Sequence, residues 1–293
     1  MIRPDEIVRQ EQSMATLVKL TSSFEGIASM RIVQIKNQVL QSTKFFNELW
    51  AIYAQIQVDD ERFDFGRTEA TDVIDKELFI IVTAEGGFSG DIDQKLVELM
   101  LQDYDETKND IIVIGHHGAA QLTQRGIKCQ KYYKMPAKDQ SINVGPIIHM
   151  VQRYRSTKLF YQEYISLMNQ TVKHIELSKA VQERGSSGQN DAEIINEQTY
   201  IFEPSTYDVV AHLERSMMQI AVSQLILESK LAQYASRFRA MSISNERADK
   251  IQSQLHMDYN RAKRGAKDER LKEIINGLKK ARKTGSTVNR RFA

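Results

Sequence analysis

The hydrophobic positions follow a helical period near the start of the chain. Leu17, Leu20, Phe24 and Ile27 are three or four residues apart, which places them on one face of a helix. This period predicts a helix over about residues 7–58. A helix of that length exceeds what a globular core usually holds and is typical of a coiled coil.

The C-terminal part of the chain shows the same period over a longer stretch. Gly and Pro, the strongest helix breakers, do not occur between Ser205 and Arg264. Ser205 suits an N-cap, and the periodic positions extend from Tyr207 to about Ala281. Because no small core has room for such a helix, we expect it to pair antiparallel with the N-terminal helix.

Between these stretches the pattern changes to short apolar runs. Residues 78–82 and 110–114 predict buried strands, each followed by a helical pattern, and Asp91 is a candidate cap for the first of these helices. Two strand–helix units are typical of a small parallel sheet with helical crossovers. Residues 159–167 and 172–177 further predict a hairpin.

These elements predict an α/β protein with a long antiparallel coiled coil of the N- and C-terminal helices and an inserted small α/β (Rossmann-like) domain. We expect the C-terminal helix to break near Gly285. The predicted segments are an N-terminal coiled-coil helix (1–62), an α/β head domain (76–182), a C-terminal coiled-coil helix (203–283) and a basic tail (284–293).

Composition narrows the class of protein. Apolar residues make up 41% and charged residues 27% of the chain, as expected of a folded soluble protein. No apolar run is long enough to span a bilayer, and Met1–Glu6 lacks the apolar core of a secretory signal. The single cysteine, Cys129, excludes an internal disulfide and a multi-cysteine metal site. We therefore expect a reducing compartment.

The charge is distributed unevenly. The formal net charge is +2, yet residues 261–293 carry 12 basic and 3 acidic side chains, so the rest of the chain is acidic. A basic end indicates either an anionic partner surface or a simply solvated tail.

Few residues suggest chemistry. Residues 85–90 form a Gly-rich turn after a strand, where backbone N–H groups could bind phosphate, but the GxGxxG and GK[ST] patterns are missing. A tight turn with positive φ is the favoured interpretation. His116 and His117 point to opposite sides of an extended chain and have no evident carboxylate partner. We predict no catalytic residue, no metal and no cofactor, and a nucleotide-binding enzyme stays an alternative.

Six stretches of the chain contain recognisable motifs: Ala235–Met241, Tyr259–Arg264, Glu273–Gly277, Phe202–Ser205, Val82–Gly90 and Leu20–Arg31. They resemble motifs of the gamma subunit, the central stalk, of rotary F-type ATP synthases. In that order they look like the family's A-R-M-x-A-M, Y-N-x-A-R-Q, E-I-V-x-G, Y-E-P, S-S-D-R-G-L-C-G and N-terminal I-T-x-A-M-x-M-V-A-A-x-K, and the first three agree in order and spacing. Glu85-Gly86-Gly87 replaces D-R-G, so the chain resembles a divergent member.

The resemblance implies a non-catalytic rotor that couples ion-driven, for example proton-driven, rotation of a membrane ring to ATP synthesis or hydrolysis. The implied partners are the hexamer of three alpha and three beta subunits, an epsilon-type subunit and the c-ring, with no nucleic acid and no direct insertion into the membrane. The implied location is peripheral, on the cytoplasmic side of a prokaryotic plasma membrane or on the equivalent matrix face of an organelle.

The resemblance also implies the residues involved in coupling. It places Phe24 near Arg237 in the lower shaft, where a cation–π contact is expected. The implied shaft contacts are Phe24, Arg237, Met241, Tyr259, Lys263, Arg264 and Glu273, and the implied head turn comprises Glu85, Gly86, Gly87 and Gly90.

Two further alternatives stay open beside the rotor. A coiled-coil scaffold or adaptor with an α/β module explains the long helices but not the ordered motifs. A nucleic-acid-binding protein rests on the basic tail alone, which has no interleaved aromatic residues and no recognition motif.

Overall fold

The computed structural model describes residues 4–56, 73–139, 142–186, 203 and 205–289. The predicted helix end at 62, the motif residues Phe202 and Pro204, and residues 290–293 of the predicted tail lie outside these ranges. The helices are α1 (Pro4–Gln55), α2 (Ile92–Asp103), α3 (His116–Gln124), α4 (Gly145–Val151), α5 (Leu177–Ser186) and α6 (Thr206–Asn289), and the strands are β1 (Ile74–Val82), β2 (Asn109–Ile114), β3 (Lys131–Tyr133), β4 (Tyr154–Tyr164) and β5 (Gln170–Glu176).

The chain divides into two compact units. The helical unit comprises residues 1–24 and 241–293, and the head unit comprises residues 25–240. Both α1 and α6 contribute residues to each unit, so the predicted head of 76–182 packs together with parts of the two long helices.

In the helical unit, α1 and α6 pair antiparallel. The Thr21 hydroxyl donates a hydrogen bond of 3.0 Å to the Asn245 side-chain oxygen, and the His256 Nδ1 lies 3.0 Å from a Glu11 carboxylate oxygen. The α6 partner moves toward the C-terminus as the α1 partner moves toward the N-terminus. The predicted antiparallel pairing of the terminal helices is confirmed.

In the head unit the two helices also pair antiparallel. Ile35 of α1 packs with Leu227 and Leu231 of α6, and the Tyr53 hydroxyl donates a 3.1 Å hydrogen bond to the Glu214 carboxylate. Burial of the Tyr53 hydroxyl and the adjacent Glu214 charge raise the pKa of the tyrosine.

The head unit contains a five-stranded sheet in the order β3-β2-β1-β4-β5. The first four strands are parallel and β5 runs antiparallel to β4, which confirms the predicted hairpin and parallel units. Alternate residues of β1 face opposite sides because side chains of a strand alternate. Ile80 joins a core that includes Val222 and Leu225 of α6, whereas Ile81 joins a core formed with Leu96 of α2.

The observed ends of α6 and α2 confirm one sequence-based prediction and correct two others. Ser205 caps α6 as expected, since its hydroxyl accepts a 3.1 Å bond from the Asp208 backbone N–H. However, α6 passes through Gly285 and ends at Asn289, because one glycine costs a helix only about 1 kcal/mol. Asp91 precedes α2 but makes no capping bond with its side chain, which pairs with Lys95 instead.

Candidate functional site

The turn after β1 is held by α6. We define the head turn as residues 85–90. The Arg237 guanidinium donates two hydrogen bonds of 3.1 Å, from Nε to the Gly87 carbonyl and from its terminal nitrogen to the Gly86 carbonyl. The adjacent Ser236 hydroxyl donates a 2.7 Å bond to the Ser89 carbonyl. Two consecutive α6 residues therefore bind three carbonyls of one turn.

The other side of the head turn is anchored by Glu85. Its carboxylate accepts a 3.2 Å bond from the Tyr132 hydroxyl and a 3.2 Å bond from the Met135 backbone N–H. Glu85 thus ties the turn to β3 and to the segment that follows it. The shaft residue Arg237 and the head-turn residues Glu85, Gly86 and Gly87, which the sequence analysis treated as separate sets, belong to one site.

Left-handed backbone in the head turn occurs at Phe88 (φ 68°) and Gly90 (φ 67°). The expectation that the turn requires positive φ is met at Gly90, but Gly86 and Gly87 do not adopt it. A Cβ at Gly86 would lie 3.6 Å from the Arg237 guanidinium, which is an ordinary contact. The carbonyls of Gly86 and Gly87 face the Arg237 guanidinium, so these two glycines make a structural contact with α6.

The histidine pair has a carboxylate partner that the sequence analysis missed. The His117 Nδ1 lies 3.0 Å from a carboxylate oxygen of Asp93, 24 residues earlier in the chain. Burial raises the pKa of Asp93, although its bonds with Ala84, His117 and Gln162 act in the opposite direction. Among the described residues, no three His, Cys, Asp or Glu side chains are grouped as metal ligands would be.

The remaining predicted shaft residues lie along α6 in the helical unit. Met241 is buried, Tyr259 is half-buried, and the Lys263 ammonium lies 5.6 Å from the centre of the Tyr259 ring. Arg264 and Glu273 are exposed. The predicted contact between Phe24 and Arg237 stays a prediction.

The last part of α6 extends beyond its partner helix. Because α1 begins only seven residues before Glu11, the partner of His256, α6 is unaccompanied by α1 beyond about residue 263. Residues 271–280 are all exposed. Within them an apolar stripe with the i, i+3, i+4, i+7 spacing of one helix face is formed by Leu271, Ile274, Ile275 and Leu278, which are 42–64% exposed.

Exposed apolar stripes of this kind mark surfaces that bind other proteins. The sequence analysis did not single out this stripe, although its spacing is visible in the sequence. Among the described helices, none contains an apolar stretch of the length that a bilayer span requires.

Comparison with known proteins identifies the family of this chain. Residues 4–280 match a protein-family model described as ATP synthase, so the chain belongs to the ATP synthase family. Its relatives include the ATP synthase gamma chain of Mycoplasmoides gallisepticum, which is 21% identical over 96% of this chain and 100% of the relative. Another is the ATP synthase gamma chain of Cytophaga hutchinsonii, which is 20% identical over 93% of this chain and 96% of the relative. The resemblance to the gamma subunit is confirmed.

Solved structures share the fold. A chain in the cryo-EM structure of the Euglena gracilis mitochondrial ATP synthase, OSCP/F1/c-ring, matches with a TM-score of 0.61 and 14% identity over 94% of both chains. A chain of the rotor of the same enzyme matches with a TM-score of 0.56 over 89% of this chain and 98% of that chain.

Proposed function

We propose that the chain is the central-stalk rotor of an F-type ATP synthase and couples rotation of an ion-driven ring to ATP synthesis or hydrolysis. The observation that carries this proposal is the antiparallel pairing of the two ends of a gamma-family chain, with a sheet inserted between them. Such a pairing makes a stiff element out of two long helices.

The C-terminal end of α6 is the part that we expect to enter the hexamer of alpha and beta subunits. The stripe of Leu271, Ile274, Ile275 and Leu278 is exposed in this chain and would be covered by the hexamer. The exposed Lys263 and Arg264 would face acidic groups of the hexamer, and Glu273 would face basic ones.

The head unit is the part that we expect to contact the ring and an epsilon-type subunit. In support, the Tetrahymena thermophila structure that matches this fold with a TM-score of 0.52 is described as central stalk and c-ring. The complex would be peripheral, on the cytoplasmic face of a prokaryotic plasma membrane or the matrix face of an organelle.

We further propose that the chain contributes no catalytic group and binds no cofactor. In support, the head turn has neither the GxGxxG nor the GK[ST] pattern. ATP chemistry would then belong to the hexamer. Micromolar nucleotide binding by the full chain alone would contradict this part of the proposal.

Affinity purification of the tagged chain from its own cells tests the rotor. We expect alpha, beta and ring subunits to co-purify, and a bead on the head to rotate in steps when ATP is added. Purification without a nucleotide-binding hexamer would favour the coiled-coil scaffold or adaptor instead.

The variant Leu278→Ser tests the role of the stripe. It removes exposed apolar surface worth about 1 kcal/mol or more if the hexamer covers it, so we expect weaker assembly or slower rotation. Asn276→Ser is the matched control, since it changes an exposed polar residue of the same turn. Equal effects of the two variants would contradict the proposed burial of the stripe.

A further inference from the structure

A chain of buried polar side chains links α6 to the sheet of the head unit. Gln162 of β4 is fully buried, and its amide nitrogen donates a 2.8 Å bond to the Asp93 carboxylate. Its amide oxygen accepts bonds from two α6 residues, the Ser229 hydroxyl and, at 3.0 Å, the Gln233 amide. The four side chains are each at most 5% exposed.

The network continues to the base of the head turn. The Ala84 N–H donates a 3.2 Å bond to the same Asp93 oxygen that Gln162 binds, and the Ala84 carbonyl accepts a 3.0 Å bond from the His117 backbone N–H. His117 also bonds the second oxygen of Asp93 through its ring. Sheet, α2, α3 and α6 are therefore connected through two side chains, Asp93 and Gln162.

Many other contacts between α6 and the sheet are apolar. Met217, Met218, Val222 and Leu225 of α6 belong to the same core cluster as Leu78 and Ile80 of β1. Apolar packing is non-directional, and volume-conserving aliphatic replacements usually cost less than about 1.5 kcal/mol. The buried hydrogen bonds differ, because a donor or acceptor that loses its partner without reaching water is strongly unfavourable.

Displacing α6 by one turn, about 5.4 Å, toward its C-terminus would remove the donor that lies opposite Gln162 at position 229. Leu225 and Ser229 would then occupy the positions of Ser229 and Gln233, since all three lie four residues apart on one helix face. The Gln162 amide oxygen would face the aliphatic Leu225, which has no donor. The network therefore adds resistance to this displacement of α6 against the sheet.

We propose that Gln162, Asp93, Ser229 and Gln233 form a torque-bearing joint between α6 and the head, and act as positioning residues for rotation. This inference rests on the proposed rotor function. Torque applied to the head must reach the shaft through contacts that do not yield. A fully hydrogen-bonded network resists yielding because all its members must lose their partners together.

The double variant Ser229→Ala/Gln233→Met tests the joint. It removes both α6 donors, keeps nearly the same volume at position 233 and leaves the bond between Gln162 and Asp93 in place. The control is Leu122→Ala, which opens a cavity in the core on the other face of the sheet, where none of the described core residues belongs to α6.

The readout is the angular fluctuation of a bead on the head in a complex stalled without ATP and fixed to a surface through the hexamer. The bead is attached at Glu106→Cys, an exposed position, in a Cys129→Ser background. We expect the angular variance to rise at least about twofold in the double variant. In Leu122→Ala it should stay at the parent value, even if urea denaturation shows a larger loss in the free energy of unfolding for this control.

An unchanged angular variance in the double variant, or an equal rise in the control, would overturn the proposal that the network acts as a joint. Failure of the rotor proposal is distinguishable, because the parent bead itself would then not rotate with ATP. If the double variant does not assemble, Ser229→Ala replaces it, with the same expected direction of change.

Discussion

At the scale of single residues, Lys230 carries a charge into one of the least exposed parts of α6. Its side chain is 6% exposed and donates to the Pro136 carbonyl at 2.8 Å and to the Asp139 carboxylate, which also lies 3.6 Å from Arg31 of α1. Asp139 therefore ties the segment between β3 and α4 to both long helices within the head unit.

Asp139→Ala should destabilise the chain by about 3–5 kcal/mol, because it leaves the Lys230 ammonium buried without its counter-charge. The double variant Asp139→Ala/Lys230→Met removes both charges and should recover most of that loss. Urea unfolding of the full chain measures both. A double variant no more stable than Asp139→Ala would show that the pair does not act through charge.

Asp93 predicts a pH dependence at the same scale. Its pKa is raised by burial above the usual value of 3.8, so the folded state holds the proton more tightly than the unfolded state does. The stability that the raised pKa of Asp93 contributes is present below pH 3.8 and is lost as the pH rises through the folded-state pKa.

We therefore expect the free energy of unfolding of the parent, relative to Asp93→Asn, to fall between pH 3.5 and pH 7. Asn keeps the side-chain oxygen that accepts from Ala84 and Gln162 but does not ionise. Denaturant titrations of both proteins at several pH values measure the difference. A difference that grows with pH would show that the carboxylate, and not the acid, is preferred in the folded state.

At the scale of elements, the head turn depends on its backbone conformation at Gly90. An L-residue with φ near 67° costs about 1–2 kcal/mol, so Gly90→Ala should lower the free energy of unfolding by about that amount. Gly87→Ala is the control, since no atom lies within 4 Å of the added methyl and its φ is unexceptional. Thermal unfolding compares them, and an equal loss would mean that the turn relaxes to accommodate a side chain at position 90.

The helices show why both ends of the chain must fold together. In the head unit, α6 is buried on one side by the sheet through residues such as Val222 and on another by α1 through residues such as Leu231. Its buried part therefore has two partners, one of which comes from the opposite end of the chain.

At the scale of the whole molecule, the basic side chains of the unaccompanied part of α6 are expected to matter only in the assembled enzyme. Lys263→Ala/Arg264→Ala should slow ATP-driven rotation severalfold, because it removes two exposed charges that we propose to face the hexamer. Lys250→Ala is the control, as an exposed lysine of the same helix that pairs with Glu246. Rotation assays at low and high salt measure the effect, which should shrink as salt screens the charges. Equal slowing by the control would refute a specific role for the pair.

The sequence by itself determined the two long helices and the strands β1, β2, β4 and β5, but gave no sign of β3, α4 or α5. The period of Leu17, Leu20 and Phe24, the absence of Gly and Pro after Ser205, and the short apolar runs around Ile80 and Ile112 all act within a few neighbouring residues. Such signals are local, so they predicted the paired helices, the parallel strands and the hairpin. The same local rule predicted a helix end near Gly285. The other residues of α6 outweigh the cost of this one glycine, so the helix continues to Asn289.

Only the tertiary structure decided which polar groups meet. Arg237 lies 150 residues from Gly87 in sequence, and Ser229 lies 67 residues from Gln162, yet each pair is hydrogen-bonded. A polar residue carries no local mark of its distant partner, because a buried donor is satisfied by whichever acceptor the packing brings within about 3 Å. The sequence therefore determined the long helices and the sheet, whereas packing of α6 on the sheet created the head-turn contacts and the buried network.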